Sequence, residues 1–514
     1  MVNKVLPREI YDFFSSDVGR SLIVKGHAGT GKTILSLTLL EEIADIENSF
    51  YFSTRVSNKS LYSQFQWLKE KDMRENLVDS SMDFLRSLYK DKTSKLTKTK
   101  AFASGDEKFE KIEHARRVID VMGDKPPEEF TPPEEVSRSC LMTLMADSDI
   151  TALEDIYDRV DSRLPSPSIV IIDSLESLIE RYAVDATSLI KVLQRDLVEM
   201  SGTKLIIVLE AEEATTWDYL VDGVVTLSVD EQSGRRVRLM SLNKLRGIRI
   251  DRPMYLFTLD GGKFRYSPSF SQNIPLFQKE HDPILDGEGT SYWDRDLFSS
   301  GSKEFDDILG GGYPHGSLVL IEVSHDVPLA GQMKLFGPVL ENFLSQERGV
   351  LLVPSSRDKN IFGESSSIFS EDMEDNLKVI DSKELKRHKK GDFKHSFHEA
   401  YKELKFKANE PILTICDWVT IEHSIGDAEI GEIDRSKAAK ELLELMKKNS
   451  GLTIGVMGPG FFYSDNARYV SDIHLKMFTY YNSLFVYGEK PNTEIYNITV
   501  ERDDHPRVKF VKQV

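Results

Sequence analysis

The sequence predicts an α/β protein of two tandem lobes, each built on a mainly parallel central sheet. Three observations carry that reading. Short β-rich apolar runs recur through both halves of the 514-residue chain. Amphipathic helical stretches separate several of them, the alternation that βαβ units produce. The second half then repeats the order of the first, as an internal duplication does.

In the first half the runs are SLIVK (21–25), SFYFS (49–53), SIVIID (168–173), KLIIVLE (204–210) and GVVTLSV (223–229). Helical patterns cover Ile34–Ile46 and Ala186–Met200. Right-handed crossovers between such strands place their ends on one sheet edge, where ligands bind. Residues 90–165 interrupt the rhythm with Lys-rich KDKTSKLTKTK (90–100), the helical phrase EKFEKIEHARRVIDVM and KPPEEFTPPEE (125–135). That region reads as an insertion, part helix and part linker, its Lys run either a solvated face or a contact for phosphate or protein. In the second half SLVLIE (317–322), GVLLVPSS (349–356), PILTICD (411–417) and LTIGVMG (452–458) read as buried strands, and KRHKKGDFKH (386–395) as a basic surface stretch. Between the halves the sequence lacks periodicity. The expected division is a first domain at 1–261, a linker at 262–297 and a second domain at 298–514.

Composition narrows the class. Hydrophobic residues make up 40% and charged residues 29% of the chain, the balance of a globular protein. A net charge of −18 argues against wrapping nucleic acid over a large surface, which needs Lys and Arg to neutralise phosphates. Cys140 and Cys416 lie far apart without metal-ligand spacing, as in a reducing cytosol. The start MVNKVLPREIYDFF lacks a signal-peptide apolar region, and no run approaches the roughly 20 apolar residues of a membrane span. The expectation is a soluble cytoplasmic protein with no membrane partner.

GHAGTGKT follows a strand and opens a helix, the context that a P-loop requires. Gly26, His27, Ala28, Gly29, Thr30, Gly31, Lys32 and Thr33 form the expected phosphate cradle for ATP and Mg2+. The glycines let backbone N–H groups face the phosphates, and the new helix adds its positive end. Lys32 then reaches the β- and γ-phosphates and the Thr33 hydroxyl binds magnesium. Asp173, ending SIVIID, is the second magnesium-side group. Hydrolysis needs a group to orient water, and Glu176, Glu180 and Glu210 all follow candidate strands. Glu210 is the first choice and Glu176 the second; each also reads as a solvated or capping carboxylate. In NKLRGIR, Lys244 and Arg246 alternate with Leu245 and so point one way from a strand, either toward phosphate or into solvent.

With GHAGTGKT, VIIDS, VDGVVTL (221–227) and KLRGIR in place, the chain resembles the KaiC-like branch of the RecA superfamily. The resemblance implies two RecA-like P-loop lobes and an oligomer in which Lys244 and Arg246 reach the ATP of a neighbouring subunit. In the second half it rests on FSSGSKEFDDILGGGYPHGSLVLIE (298–322), similar to the family's domain-opening motif. There VSHDVPLA (Val323–Ala330) stands where a P-loop belongs: Pro328, Leu329 and Ala330 replace Gly, Lys and Ser/Thr. The second P-loop is therefore degenerate and expected to bind ATP poorly or not at all, while Asp417 keeps the strand-end carboxylate. Where the family places adjacent glutamates after the second strand, this chain has Thr54, Arg55 and Val56, which predicts slow hydrolysis. STRVSNKSLY and PREIYDFF are similar to the archaeal gas-vesicle regulator D group, which implies a regulatory role through protein partners. Two other functions stay open. A DNA-dependent recombination ATPase needs basic loops where this chain has acidic ESLIERYAVDA and EAEEATTWDY, and a non-catalytic nucleotide-binding scaffold needs no water-orienting group.

Overall fold

The computed structural model describes residues 5–15, 20–43, 48–70, 77–79, 151–182, 185–270, 272, 283–288, 294–355, 362, 370–380, 393–426, 432–458, 464–502 and 506–514. The Lys-rich run, the Pro-Pro segment, Cys140 and most of KRHKKGDFKH lie outside the described residues. The chain forms two compact units, Val2–Tyr266 and Ser267–Gln513.

The first unit holds β1 (Arg20–Lys25), β2 (Ser49–Ser53), β3 (Leu77–Asp79), β4 (Ile169–Asp173), β5 (Lys204–Leu209), β6 (Gly223–Gln232), β7 (Arg235–Leu245), β8 (Met254–Thr258) and β9 (Arg265–Tyr266). They make one nine-stranded sheet in the order β3-β2-β4-β5-β1-β6-β7-β8-β9. Pairing is parallel from β3 to β6 and antiparallel from β6 to β9. The alternation of side chains across a strand explains the layering. Leu22 and Val24 pack with Leu35 and Leu39 of the helix Lys32–Ile43 on one face. Ile23 packs with Ile172, Ile207, Leu178 and Leu189 on the other. Burying each such side chain stabilises the unit by about 1.5–3 kcal/mol.

The predicted elements need three adjustments. The helix expected at Ile34–Ile46 begins earlier, at Lys32, because the Leu35 amide already bonds the Gly31 carbonyl at 2.9 Å, and its expected end at 44–46 lies outside the described residues. The stretch Ala186–Met200 is α-helical to Leu193 and continues as a π-helix over Gln194–Met200. Asp185 starts it by accepting from the Ser188 amide at 2.8 Å. The first unit also runs past residue 261, into the span expected to be linker: Phe264 is fully buried, stacks on Phe257 at 4.6 Å, and leads into β9. An aromatic residue with such a partner packs into its sheet instead of leaving it.

The second unit opens with the short pair β10 (Leu297–Phe298) and β11 (Tyr313–Pro314). Its sheet comprises β12 (Ser317–Val323), β13 (Arg348–Val353), β14 (Leu377–Val379), β15 (Asn409–Asp417), β16 (Leu452–Met457), β17 (Ile473–Tyr480), β18 (Ser483–Lys490), β19 (Tyr496–Arg502) and β20 (Pro506–Lys512). The order β14-β13-β15-β16-β12-β17-β18-β19-β20 is that of the first sheet, strand for strand. Val319 and Ile321 face Met333 and Phe336 of the helix Leu329–Ser345, while Leu318 and Leu320 face Phe397, Tyr401 and Trp418. Even the hairpin turns correspond. Ser233–Gly234 and Tyr481–Asn482 both have two positive φ angles, as a two-residue turn between twisted strands prefers. The protein is thus α/β, with two RecA-like lobes of which the second has a degenerate P-loop.

Candidate nucleotide site

β1 lies between β5 and β6, and β2, β4 and β5 all run parallel to it. Their C-terminal ends therefore share one sheet edge. There the chain leaves β1, turns through Gly26–Gly31 and enters the helix Lys32–Ile43. Glycine is demanded twice. At Gly26, φ is 152° and an added Cβ would lie 2.2 Å from the Leu227 carbonyl oxygen. At Gly31, φ is 106° and a Cβ would lie 2.8 Å from Leu259 Cδ1. The Thr30 amide and hydroxyl both donate to the His27 carbonyl, at 3.3 and 2.9 Å, closing the turn. His27, Ala28 and Gly29 form its exposed tip. His27 Nε2 stands 2.8 Å from Glu212 Oε2.

Lys32 is buried, and its ammonium donates to the carbonyls of Gly26 (2.7 Å) and His27 (2.8 Å) and to Glu210 Oε2 (3.0 Å). All three of its N–H donors are thereby engaged. The other oxygen of Glu210 lies 3.4 Å from Arg55 Nη1. Arg55 Nε donates to Ser177 Oγ at 2.6 Å. The Glu210 amide donates to Glu176 Oε1 at 2.6 Å, and Glu176 Oε2 is buried with no hydrogen-bond partner among the described residues. Glu210 and Glu176 thus sit together beside Lys32, whereas Glu180 is exposed on the helix Leu175–Tyr182.

On the other side of the loop, Asp173 Oδ2 accepts from the Thr33 hydroxyl at 2.7 Å and the Tyr51 phenol at 2.5 Å. Burial, then the Asp173 charge, pushes the Tyr51 phenol well above its usual pKa, so it acts as a neutral donor. Thr54 ties β2 to β4: its amide donates to the Asp173 carbonyl at 2.8 Å, and its hydroxyl accepts from the Ser174 amide at 2.9 Å.

Lys244 and Arg246 are not part of this cluster within the chain. Lys244 donates to the carbonyls of Asp218 (3.0 Å) and Val221 (2.6 Å), and burial, then Arg246, lowers its pKa. Arg246 pairs at 3.0 Å with Asp222, which also holds Ser21 near the start of β1. Two residues escaped the sequence reading. Tyr51 looked like one more apolar strand residue, and only the β2–β4 pairing brings it to Asp173. Arg238, buried on β7, donates to the Gly29 carbonyl at 2.8 Å and braces the loop from behind. Its signal was a cation inside the apolar alternation of RRVRLM.

The second lobe has the same frame with other groups. Leu329 opens its helix where Lys32 opens the first, preceded by Pro328, which has no N–H. Asp417 Oδ2 accepts from the Thr420 amide (2.8 Å) and hydroxyl (2.6 Å), capping the helix Trp418–Gly426. Among the described residues, no group of three or more His, Cys, Asp or Glu side chains could hold a metal, and no helix is long and apolar enough to cross a membrane.

Two family models match within the first lobe. Residues 10–101 match the family model described as GvpD gas vesicle protein, P-loop domain, and residues 146–263 match that of the KaiC ATPase. Protein GvpD2 of Halobacterium salinarum is 25% identical over 526 residues, covering 96% of this chain and 94% of that protein. Protein GvpD1 of the same organism is 28% identical over 362 residues, 68% of this chain and 56% of that protein. A P-loop NTPase lobe implies nucleotide binding. The first lobe is therefore similar to the GvpD P-loop type over residues 10–101 and to the KaiC ATPases of the RecA superfamily over residues 146–263.

Proposed function

We propose that the N-terminal lobe binds ATP with magnesium, hydrolyses it slowly, and acts as a regulatory element whose nucleotide state sets contacts with other subunits or a protein partner. The observation that carries the reading is the placement of Lys32 and the Thr33–Asp173 pair on one glycine-lined turn at one sheet edge. Only glycine allows this turn, since a Cβ at Gly26 would meet the Leu227 carbonyl and one at Gly31 the Leu259 side chain, and such a turn is the kind whose backbone amides cradle phosphate. Thr33 and Asp173 supply the hard oxygen donors that magnesium takes, and the bound ion would neutralise phosphate charge. Lys32 would bind the β- and γ-phosphates, Asp173 and Thr33 would hold the metal side, and Tyr51 would keep the Asp173 carboxylate oriented.

Slow turnover follows from the lack, after β2, of the adjacent glutamates that the resemblance to KaiC-like proteins implies. Glu210, the first choice for orienting water, is held by Lys32 and Arg55, and Glu176 accepts from the Glu210 amide. Arg55 occupies the region where the KaiC-like family carries its glutamates. Lys244 and Arg246 would act on the nucleotide of a neighbouring subunit. The match to a family model described as a gas vesicle protein, with GvpD2 and GvpD1 as relatives, directs the regulatory part toward gas-vesicle control. Steady-state phosphate release by the wild type and Lys32→Ala, with molecular mass measured in ATP and in ADP, tests the proposal. Slow release lost in the variant, and a mass or partner contact that differs between the nucleotides, is expected. Equal release from both proteins would remove catalysis from this site.

A further inference from the structure

We propose that Arg55 is a γ-phosphate ligand within its own chain, and that the Glu210 carboxylate holds the place of that phosphate when no triphosphate is bound. The inference rests on ATP binding by the N-terminal lobe and names the residue that distinguishes ATP from ADP there.

Glu210 lies between two cations. One carboxylate oxygen is 3.0 Å from Lys32 Nζ and the other is 3.4 Å from Arg55 Nη1. An anion bridging the P-loop ammonium and a guanidinium is the charge arrangement that a terminal phosphate takes. A phosphate has more charge and one more oxygen than Glu210, so it displaces the carboxylate from both cations. The exchange leaves no buried cation unpaired, because Lys32 trades one anion for another.

Arg55 is built for this exchange. Its Nε is anchored on Ser177 Oγ at 2.6 Å, while the side chain stays 47% exposed and its terminal amines reach toward Glu210. Its neighbour Thr54 is tied to the backbone of Asp173 and Ser174, so the strand end that carries the metal-side carboxylate also positions Arg55. A planar guanidinium suits phosphate oxygens. ADP has no γ-phosphate, so with ADP bound Arg55 stays on Glu210. With ATP bound both cations leave Glu210, and the segment after β5 loses an anchor to the loop. That segment is otherwise pinned by Glu212 on His27 (2.8 Å) and by the Glu213 carbonyl and Asp218 on Lys25 (3.0 and 2.6 Å). Release of Glu210 thus converts the presence of a γ-phosphate into a changed surface beside the site.

The test is calorimetric affinity of the full chain for Mg·ATP and Mg·ADP in the wild type, Arg55→Ala, Arg55→Lys and Glu210→Gln. Arg55→Ala is expected to weaken ATP binding by about tenfold or more and to leave ADP binding within about twofold, which also shows that the variant is folded. Arg55→Lys should recover part of the preference for ATP. Glu210→Gln should tighten both nucleotides, because the competing carboxylate is gone. Equal changes for ATP and ADP in Arg55→Ala, or none for either, would overturn the assignment while leaving ATP binding intact. Should Arg55→Ala lose all binding, the ATP-to-ADP ratio of Arg55→Lys decides: a reduced ratio supports the role and an unchanged one overturns it. A wild type that binds neither nucleotide would overturn the ATP-binding reading and this inference with it.

Discussion

Lys32 and Leu329 each open the helix that follows the first strand of their nine-stranded sheet, and the two sheets have identical strand order. Around Lys32 gather two loop carbonyls, Glu210 and the Thr33–Asp173 pair. Around Leu329 nothing comparable is possible, since Pro328 offers no N–H and Leu329 no charge. The strand-end aspartates diverge in the same way. Asp173 is turned to Thr33 of the loop and to Tyr51, whereas Asp417 is turned to Thr420 as a helix cap. One strand position has reversed its charge. Lys25 on β1 lies opposite Thr226 and pairs with Asp218 at 2.6 Å. Glu322 on β12 lies opposite Lys476 and pairs with Arg468 at 2.8 Å and His474 at 3.1 Å. A buried sheet can thus be kept by apolar alternation alone, while the chemistry at its edge depends on a few residues that topology leaves free to change.

The largest expected break in this comparison is at the loop lysine. Lys32→Ala removes the charge-assisted contact to phosphate and should cost about 2–5 kcal/mol of ATP binding, which in calorimetry reads as loss of saturation. Leu329→Ala should leave ATP binding unchanged. Next come the aspartates. Asp173→Ala should abolish the magnesium dependence of nucleotide binding, measured by titration with and without the metal. Asp417→Ala should leave nucleotide binding alone and lower stability in denaturant by about 1 kcal/mol, the worth of a helix cap. The smallest effect concerns Glu322. Its hydrogen bond with His474, against the cost of burial, and its Arg468 pair bring its pKa down from 4.5 to about 2. A carboxylate whose folded pKa is depressed contributes stability above its unfolded pKa and loses it as pH falls through the folded one. Glu322→Gln should therefore destabilise the protein at pH 7 by about 1–2 kcal/mol, screening by solvent allowed for. Denaturant titrations should show that difference shrinking between about pH 4.5 and 2.

Much of the frame was legible in the sequence because parallel strands buried on both faces read as continuous apolar runs: Ser49–Ser53 emerges with the predicted limits, and Ile169–Asp173 within one residue. The loop was legible because its glycines and Lys32 are contiguous. β7 was harder, since its arginines mask an alternation that only its partners β6 and β8 complete. The partners of the site were harder still. Tyr51 meets Asp173 across 122 positions, Lys32 meets Glu210 across 178, and Gly29 meets Arg238 across 209. No local pattern reports such contacts. The sequence also could not show that Glu210 is engaged by two cations, which recasts a free carboxylate as a placeholder.

The central claim is that one lobe of the two holds nucleotide, and the most direct measurement is bound-nucleotide stoichiometry of the purified full chain saturated with Mg·ATP. The account predicts about one nucleotide per chain, falling to none in Lys32→Ala. Two per chain, or one retained by Lys32→Ala, would contradict it.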